Sequence, residues 1–339
     1  MRSFLGLLLI FFVLGIGSCN KNKQKAKFKP AIYFWKTLFE LSENEKRFLK
    51  ENQIQKIYLR FFDVDRQFNE IVPKATIHFK EIPEITIVPT VFFTNNVFIN
   101  INSKQTEKLV EDTRSKVMSV CEKNNLTIRE IQLDCDWSEK TKEAYFKFLS
   151  IFREKMGEDF KISVTLRLHQ VKFPEKTGIP PVEDAVLMFY NTGDWRVLSP
   201  ENSLFEARTI LKYLDDLNKY PLKLNFALPI YSQGLLYRSG IFYTFIKNLD
   251  DRAVLNSPNF RKTQNRGEYL CTKNMIFKDI SFREGDILKV EKADLEGLKK
   301  IKNVFLESVN QSETEMILFH LDQNISYDKN QFSEILQAN

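Results

Sequence analysis

Two aspartates one residue apart, Asp134 and Asp136, sit inside the otherwise apolar stretch Gln132-Leu133-Asp134-Cys135-Asp136-Trp137. In a strand, side chains alternate between faces, so Gln132, Asp134 and Asp136 share one face while Leu133 and Cys135 take the other. Two carboxylates this close raise each other's pKa, which is how one of them becomes a proton donor near neutral pH. The pair suits glycoside hydrolysis, divalent-cation binding, or a grip on sugar hydroxyls. A structural alternative stands beside these, in which the aspartates cap a helix or pair with Arg167. Arg167 and His169 alternate in the same way on 161–169 and would line the same cavity. His169 would then be an acid/base or hydroxyl-binding group.

Such residues need a frame that brings distant segments together. Apolar strands are expected at 31–35, 56–63, 85–93, 130–137, 161–169, 185–190, 224–231 and 316–321. Helices are expected at 43–53, 106–124, 139–155, 204–217 and 285–303, with Ser138 capping the third. Eight short strands, mostly separated by helices and showing little alternation, predict an α/β fold: a (β/α)8 TIM-type barrel with a late insertion at about 256–280. Barrels carry their chemistry at the C-terminal strand ends. The catalytic candidates there are Asp134, Asp136 and His169. The substrate-binding candidates are Trp35, Asp63, Trp137, Arg167, Gln170, Tyr190, Asn191 and Tyr231. Thr94, His320 and Asp322 occupy equivalent ends.

Composition narrows the function. The 339 residues carry a formal net charge of +6 with both signs interleaved, so no concentrated basic patch suggests nucleic acid. His78, His169 and His320 lie too far apart for zinc-site spacing, and no metal site is expected. No GxSxG elbow, GxxxxGK[ST] loop or GxGxxG fingerprint occurs, so no cofactor is expected. Cys121, Cys135 and Cys271 are an odd set, which argues against a disulfide framework.

The N-terminus adds an address. Arg2, the apolar run 4–16 and Ile16-Gly17-Ser18-Cys19 have the layout of a secretory signal. The run falls short of the roughly 20 apolar residues that span a bilayer. Cys19 in that place resembles the lipobox of bacterial lipoproteins. The resemblance implies a signal peptide over 1–18, lipidation of Cys19, a tether over 19–28 and a barrel domain over 29–339. The basic residues after Cys19 favour a periplasm-facing position on the outer membrane.

With these residues in view, the chain resembles the family 18 glycosidase barrels, the chitinase-like group, and more closely bacterial lipoproteins built on such a barrel. The family's fourth strand carries Asp-x-x-Asp-x-Asp-x-Glu, whose last Glu donates the proton. Asp134 and Asp136 match the middle acids, Ile131 stands at the first position, and Ser138 stands where the Glu belongs, with Glu139 one residue on. Leu187-Met188-Phe189-Tyr190-Asn191 resembles the Met-x-Tyr-Asp segment that holds an acetamido group, with Asn191 in place of the Asp. Ala227-Leu228-Pro229-Ile230-Tyr231 resembles the Leu-Pro-x-Tyr strand. The likeness spans 32–231. It implies a lipid-anchored envelope protein that binds or hydrolyses a carbohydrate, with an envelope glycan and the membrane as partners. Two alternatives stay open: a non-catalytic binding or assembly lipoprotein with a protein partner, and a metal-dependent hydrolase.

Overall fold

The computed structural model describes residues 25–68, 70–322 and 327–337. The signal segment 1–18, Cys19 and the tether up to residue 24 lie outside the described residues. Eight parallel strands close into a barrel in chain order: Lys27–Phe34, Lys56–Gln67, Thr86–Phe93, Glu130–Cys135, Lys161–Leu166, Asp184–Met188, Lys223–Pro229 and Glu313–Phe319. They are called strands one to eight below. Closure comes from strand one, which pairs with strand eight on one side (Ala31↔Ile317) and with strand two on the other (Tyr33↔Tyr58). The expected (β/α)8 barrel is therefore the observed fold, and each expected strand overlaps a barrel strand.

The strands form because most of their side chains are covered on both faces. Strand four is buried at every position, with Leu133 and Cys135 under the helices and Gln132 and Asp134 in the barrel interior. Helix Lys142–Met156 covers it with Tyr145, Phe148, Leu149 and Phe152. That helix starts later than expected. Ser138 does not cap it; its carbonyl accepts from the N–H groups of Thr141 and Lys142, and 137–140 stay outside the helix. Helix Glu43–Glu51 has a full capping box, Ser42 with Glu45.

Between strands seven and eight the chain leaves the barrel and builds a five-stranded antiparallel sheet. It extends from Ser232–Arg238 through Ile241–Lys247 to Ile287–Lys292, so the insertion is wider than the expected 256–280. The sheet has its own core, in which Leu236, Ile246, Tyr269 and Leu288 pack together. The expected helix over 285–303 resolves into strand Ile287–Lys292 and helix Leu295–Ser308, with Asp294 accepting from the Gly297 N–H at 2.7 Å as the cap. Leu298, Ile301 and Phe305 of that helix are buried as its periodicity requires. The expected helix over 204–217 shrinks to Ala207–Leu211.

Candidate functional site

At the C-terminal strand ends, acids and guanidinium groups meet in pairs. Arg167, just past strand five, donates from Nε to Asp136 Oδ1 at 2.6 Å and from Nη2 to Oδ2 at 2.7 Å. This bidentate fork uses both oxygens of Asp136. Asp134 lies deeper, 8% exposed, and its Oδ1 accepts from the Thr165 hydroxyl at 2.5 Å. Burial first, and then the charge of Asp136, push the Asp134 carboxyl up to about 7, against the opposing pull of Thr165 and Arg167. Below it, the Tyr33 hydroxyl donates to Gln132 Oε1 at 2.8 Å.

Strand two contributes the second pair. A bulge between Arg60 and Phe62 inserts one extra residue, so Phe61 and Phe62 are both buried and Arg60 and Asp63 come onto one side. Arg60 then donates from Nε to Asp63 Oδ1 at 2.7 Å and from Nη2 to Oδ2. Its guanidinium also lies over the Trp35 ring, 5.6 Å from the centroid.

Aromatic rings lie between the pairs. Tyr190 stacks on Phe319 with centroids 4.8 Å apart, and Tyr231 meets Phe319 edge-on at 5.9 Å. A cleft of about 610 Å³ opens beside them, bounded by Trp35, Arg60, Tyr231, Phe319 and His320 of the barrel. Trp195, from the loop after strand six, and Gln233, Phe245 and Lys247, from the inserted sheet, form its other wall. Trp195 is wedged edge-on between Phe242 and Phe245 at 4.6 and 5.0 Å. Asn191 lies on the cleft edge with a left-handed backbone (φ 55°), its N–H bonded to the Leu204 carbonyl at 2.7 Å. Asp134, Asp136 and Tyr190 are next to this cleft and do not line it.

Three expected site residues are placed elsewhere. Trp137 is 2% exposed, faces the helical layer against Tyr145 and Phe146, and donates its indole N–H to the Thr177 carbonyl at 2.9 Å. The alternation that turns Asp136 inward turns Trp137 outward, so it cannot floor the cleft. Gln170 is buried; its Oε1 accepts from the Arg167 N–H at 2.7 Å and its Nε2 donates to the Trp137 carbonyl at 3.1 Å. It braces the loop that carries Arg167. His169 is not on a strand, because strand five ends at Leu166; it is exposed on the short helix Leu168–Lys172. Burial, and secondarily Arg167, hold its imidazole below the ordinary value.

Ser138 and Thr141 face each other with their hydroxyl oxygens 3.2 Å apart, and Glu139 is exposed. Among the described residues no group of three or more His, Cys, Asp or Glu side chains could hold a metal ion. Cys121, Cys135 and Cys271 are buried free thiols. Arg60, Phe245 and Lys247 escaped the sequence reading. Arg60 had the cue that marked Asp134, a charge inside an apolar strand. Phe245 and Lys247 lay in a segment not read as a strand.

No protein-family model matches the chain, and no curated protein matches it. Solved structures do. The spore cortex-lytic enzyme SleL of Bacillus cereus aligns at 14% identity and TM-score 0.50, over 92% of this chain and 75% of its own. A chitinase from Chromobacterium violaceum aligns at 11% identity and TM-score 0.51, over 91% of this chain and 98% of its own. A class V chitinase from Pseudomonas fluorescens aligns at 12% identity and TM-score 0.52, with the same coverages of 91% and 98%. At these identities the likeness is one of fold, and the chain has the barrel fold of the chitinase-like glycosidases.

Proposed function

We propose that this protein is an envelope lipoprotein whose barrel mouth binds a carbohydrate without cleaving it. One observation carries the reading. The position of the proton-donating Glu in the resembling family is Ser138, and the acid nearest to it on the inward face, Asp136, is held on both oxygens by Arg167. Both oxygens of that carboxylate are occupied as acceptors from the guanidinium, which leaves neither aimed at a leaving-group oxygen. The binding surface survives beside it: rings from strands one, seven and eight, and a wall from the inserted sheet. Chitinases and a cortex-lytic enzyme use this fold, which supports a glycan as the ligand.

A second reading is favoured by one feature. Asp134, its carboxyl raised to about 7, keeps a protonated fraction at neutral pH, as a general acid must. Both readings meet in one experiment. Tetherless protein is presented to a panel of envelope and dietary glycans, scored for retention on an array and for products by mass spectrometry. The binding reading expects retention and no product. Product from wild type that vanishes in Asp134→Asn or Asp136→Asn, with the fold intact, would establish a hydrolase instead. The metal-dependent reading finds no ligand set among the described residues, and Asp136 is committed to Arg167.

Cys19 carries the lipid in this proposal. Strand one runs from the tether side toward the mouth, so the mouth would open at the end of the barrel opposite the anchor. Incorporation of a labelled fatty acid by wild type and not by Cys19→Ser tests the anchor.

A further inference from the structure

The cleft is asymmetric in charge. Its ionisable lining is Lys36, Arg60, Lys247, His320 and Asp322. The carboxylates that balance two of its cations stand behind them. Lys36 Nζ bonds Glu45 Oε1 at 2.6 Å, and the Glu45 side chain is 1% exposed. Asp63 grips Arg60 and is not part of the lining. Lys36 and Arg60 are thus held from the rear, and the Lys36 ammonium also lies over the Phe34 ring, 5.3 Å from its centroid. Lys247 is exposed on the inserted strand Ile241–Lys247 and has no acidic partner among the described residues. His320 lies within the field of both lysines: burial holds its imidazole below the ordinary value, Asp322 and the Leu321 carbonyl pull it up, and Lys36 and Lys247 add smaller downward pushes.

Resting on the carbohydrate reading above, we infer that the cleft selects a glycan bearing a carboxylate, which it seats between Lys247, Lys36 and His320. A neutral sugar would leave the Lys247 ammonium with no acidic partner at the cleft wall. A carboxylate would accept a charge-assisted hydrogen bond from Lys247 and another from the His320 imidazole when that is protonated. Arg60 is less suited to the anion, because its Nε and Nη2 are already spent on Asp63. Lying over Trp35, it would border the ring of the sugar.

The test uses matched pairs differing only in charge: methyl glucuronoside against methyl glucoside, and a glucuronate–N-acetylglucosamine tetrasaccharide against its carboxyl-reduced form. Each is titrated into tetherless protein while the His320 imidazole resonance is followed, with His320→Gln for assignment. The acidic member of a pair should bind at least about tenfold tighter at low salt. It should also raise the His320 titration midpoint and lose its advantage at high salt. Lys247→Gln should erase most of the preference, and Lys247→Arg should keep it. Equal affinity within the pairs overturns this inference and leaves the carbohydrate reading standing. So does an acidic preference unchanged in Lys247→Gln, which would place the anion elsewhere. If no member of either pair binds or moves His320, the inference is overturned, and the carbohydrate reading is judged separately by its glycan panel.

Discussion

Asp134 and Asp136 are chemically alike and environmentally opposite. Asp136 faces a guanidinium fork and partial solvent; Asp134 is buried with one hydroxyl donor. Strand alternation puts them on one face, and depth raises the carboxyl of Asp134. Asp134 therefore couples stability to pH. In the folded protein its pKa is raised to about 7, whereas in an unfolded chain it ionises near about 4. Between those values the folded state holds the extra proton. The stability from this site is fully present below the unfolded pKa and is lost as pH rises through the folded one. Asp134→Asn keeps the acceptor for Thr165 and has no proton to lose. Wild type should therefore weaken relative to Asp134→Asn between about pH 4 and pH 7, by about 3 kcal/mol. Urea unfolding at a series of pH values measures this, and parallel curves for the two proteins would refute it.

A buried acid helps tie the inserted sheet to the loop after strand six, beside the Tyr237 hydroxyl, which donates to the Trp195 carbonyl at 2.7 Å. Glu291, 1% exposed, accepts from the Ser203 N–H at 2.8 Å, the Ser203 hydroxyl at 2.6 Å and the Leu204 N–H at 3.1 Å. It also pairs with buried Lys289 at 2.9 Å, whose ammonium donates to the Ser199 carbonyl at 2.6 Å. These contacts pin the loop that carries Trp195 to the sheet that carries Phe245 and Lys247. Glu291→Ala removes the acceptor of four donors, the Gln233 amide among them, and the ion-pair partner of Lys289, a change that costs about 3–5 kcal/mol when a buried pair is broken. A lowered melting temperature is expected, together with new protease cuts in 192–206. A melting temperature unchanged from wild type would mean that the loop is held by other contacts.

At the scale of the molecule, the insertion is a second unit with a narrow junction. Its first and last residues, Ser232 and Lys292, are register partners on neighbouring strands, so the barrel is interrupted at essentially one point. The barrel core and the insertion core are separate clusters. Replacing 233–291 with a short Gly/Ser linker closes that gap at little entropic cost. The barrel should stay cooperatively folded by circular dichroism and thermal unfolding, although the Trp195 loop loses its anchor. It should also lose the glycan affinity predicted above, because one wall of the cleft is gone. An excised barrel that binds like the full protein would put the ligand on the barrel strands alone.

Eight strands were legible because a strand covered on both faces must be an apolar run, and such a run is a local signal. The shared face of Asp134 and Asp136 was legible for the same reason, as was the outward turn of Trp137 had the alternation been carried one residue further. The three-residue inserted strands Phe260–Lys262 and Met275–Phe277 are too short to show a period, and Ile287–Lys292 was merged into the helix that follows it. Other features depend on contacts between segments far apart in the chain. Arg167 reaches Asp136 across 31 residues, the bulge at Phe61 turns Asp63 toward Arg60, and an inserted strand brings Lys247 to His320. Local pattern assigns each side chain a face; barrel closure and loop anchoring assign it a neighbour, and the neighbour determines charge state and ligand.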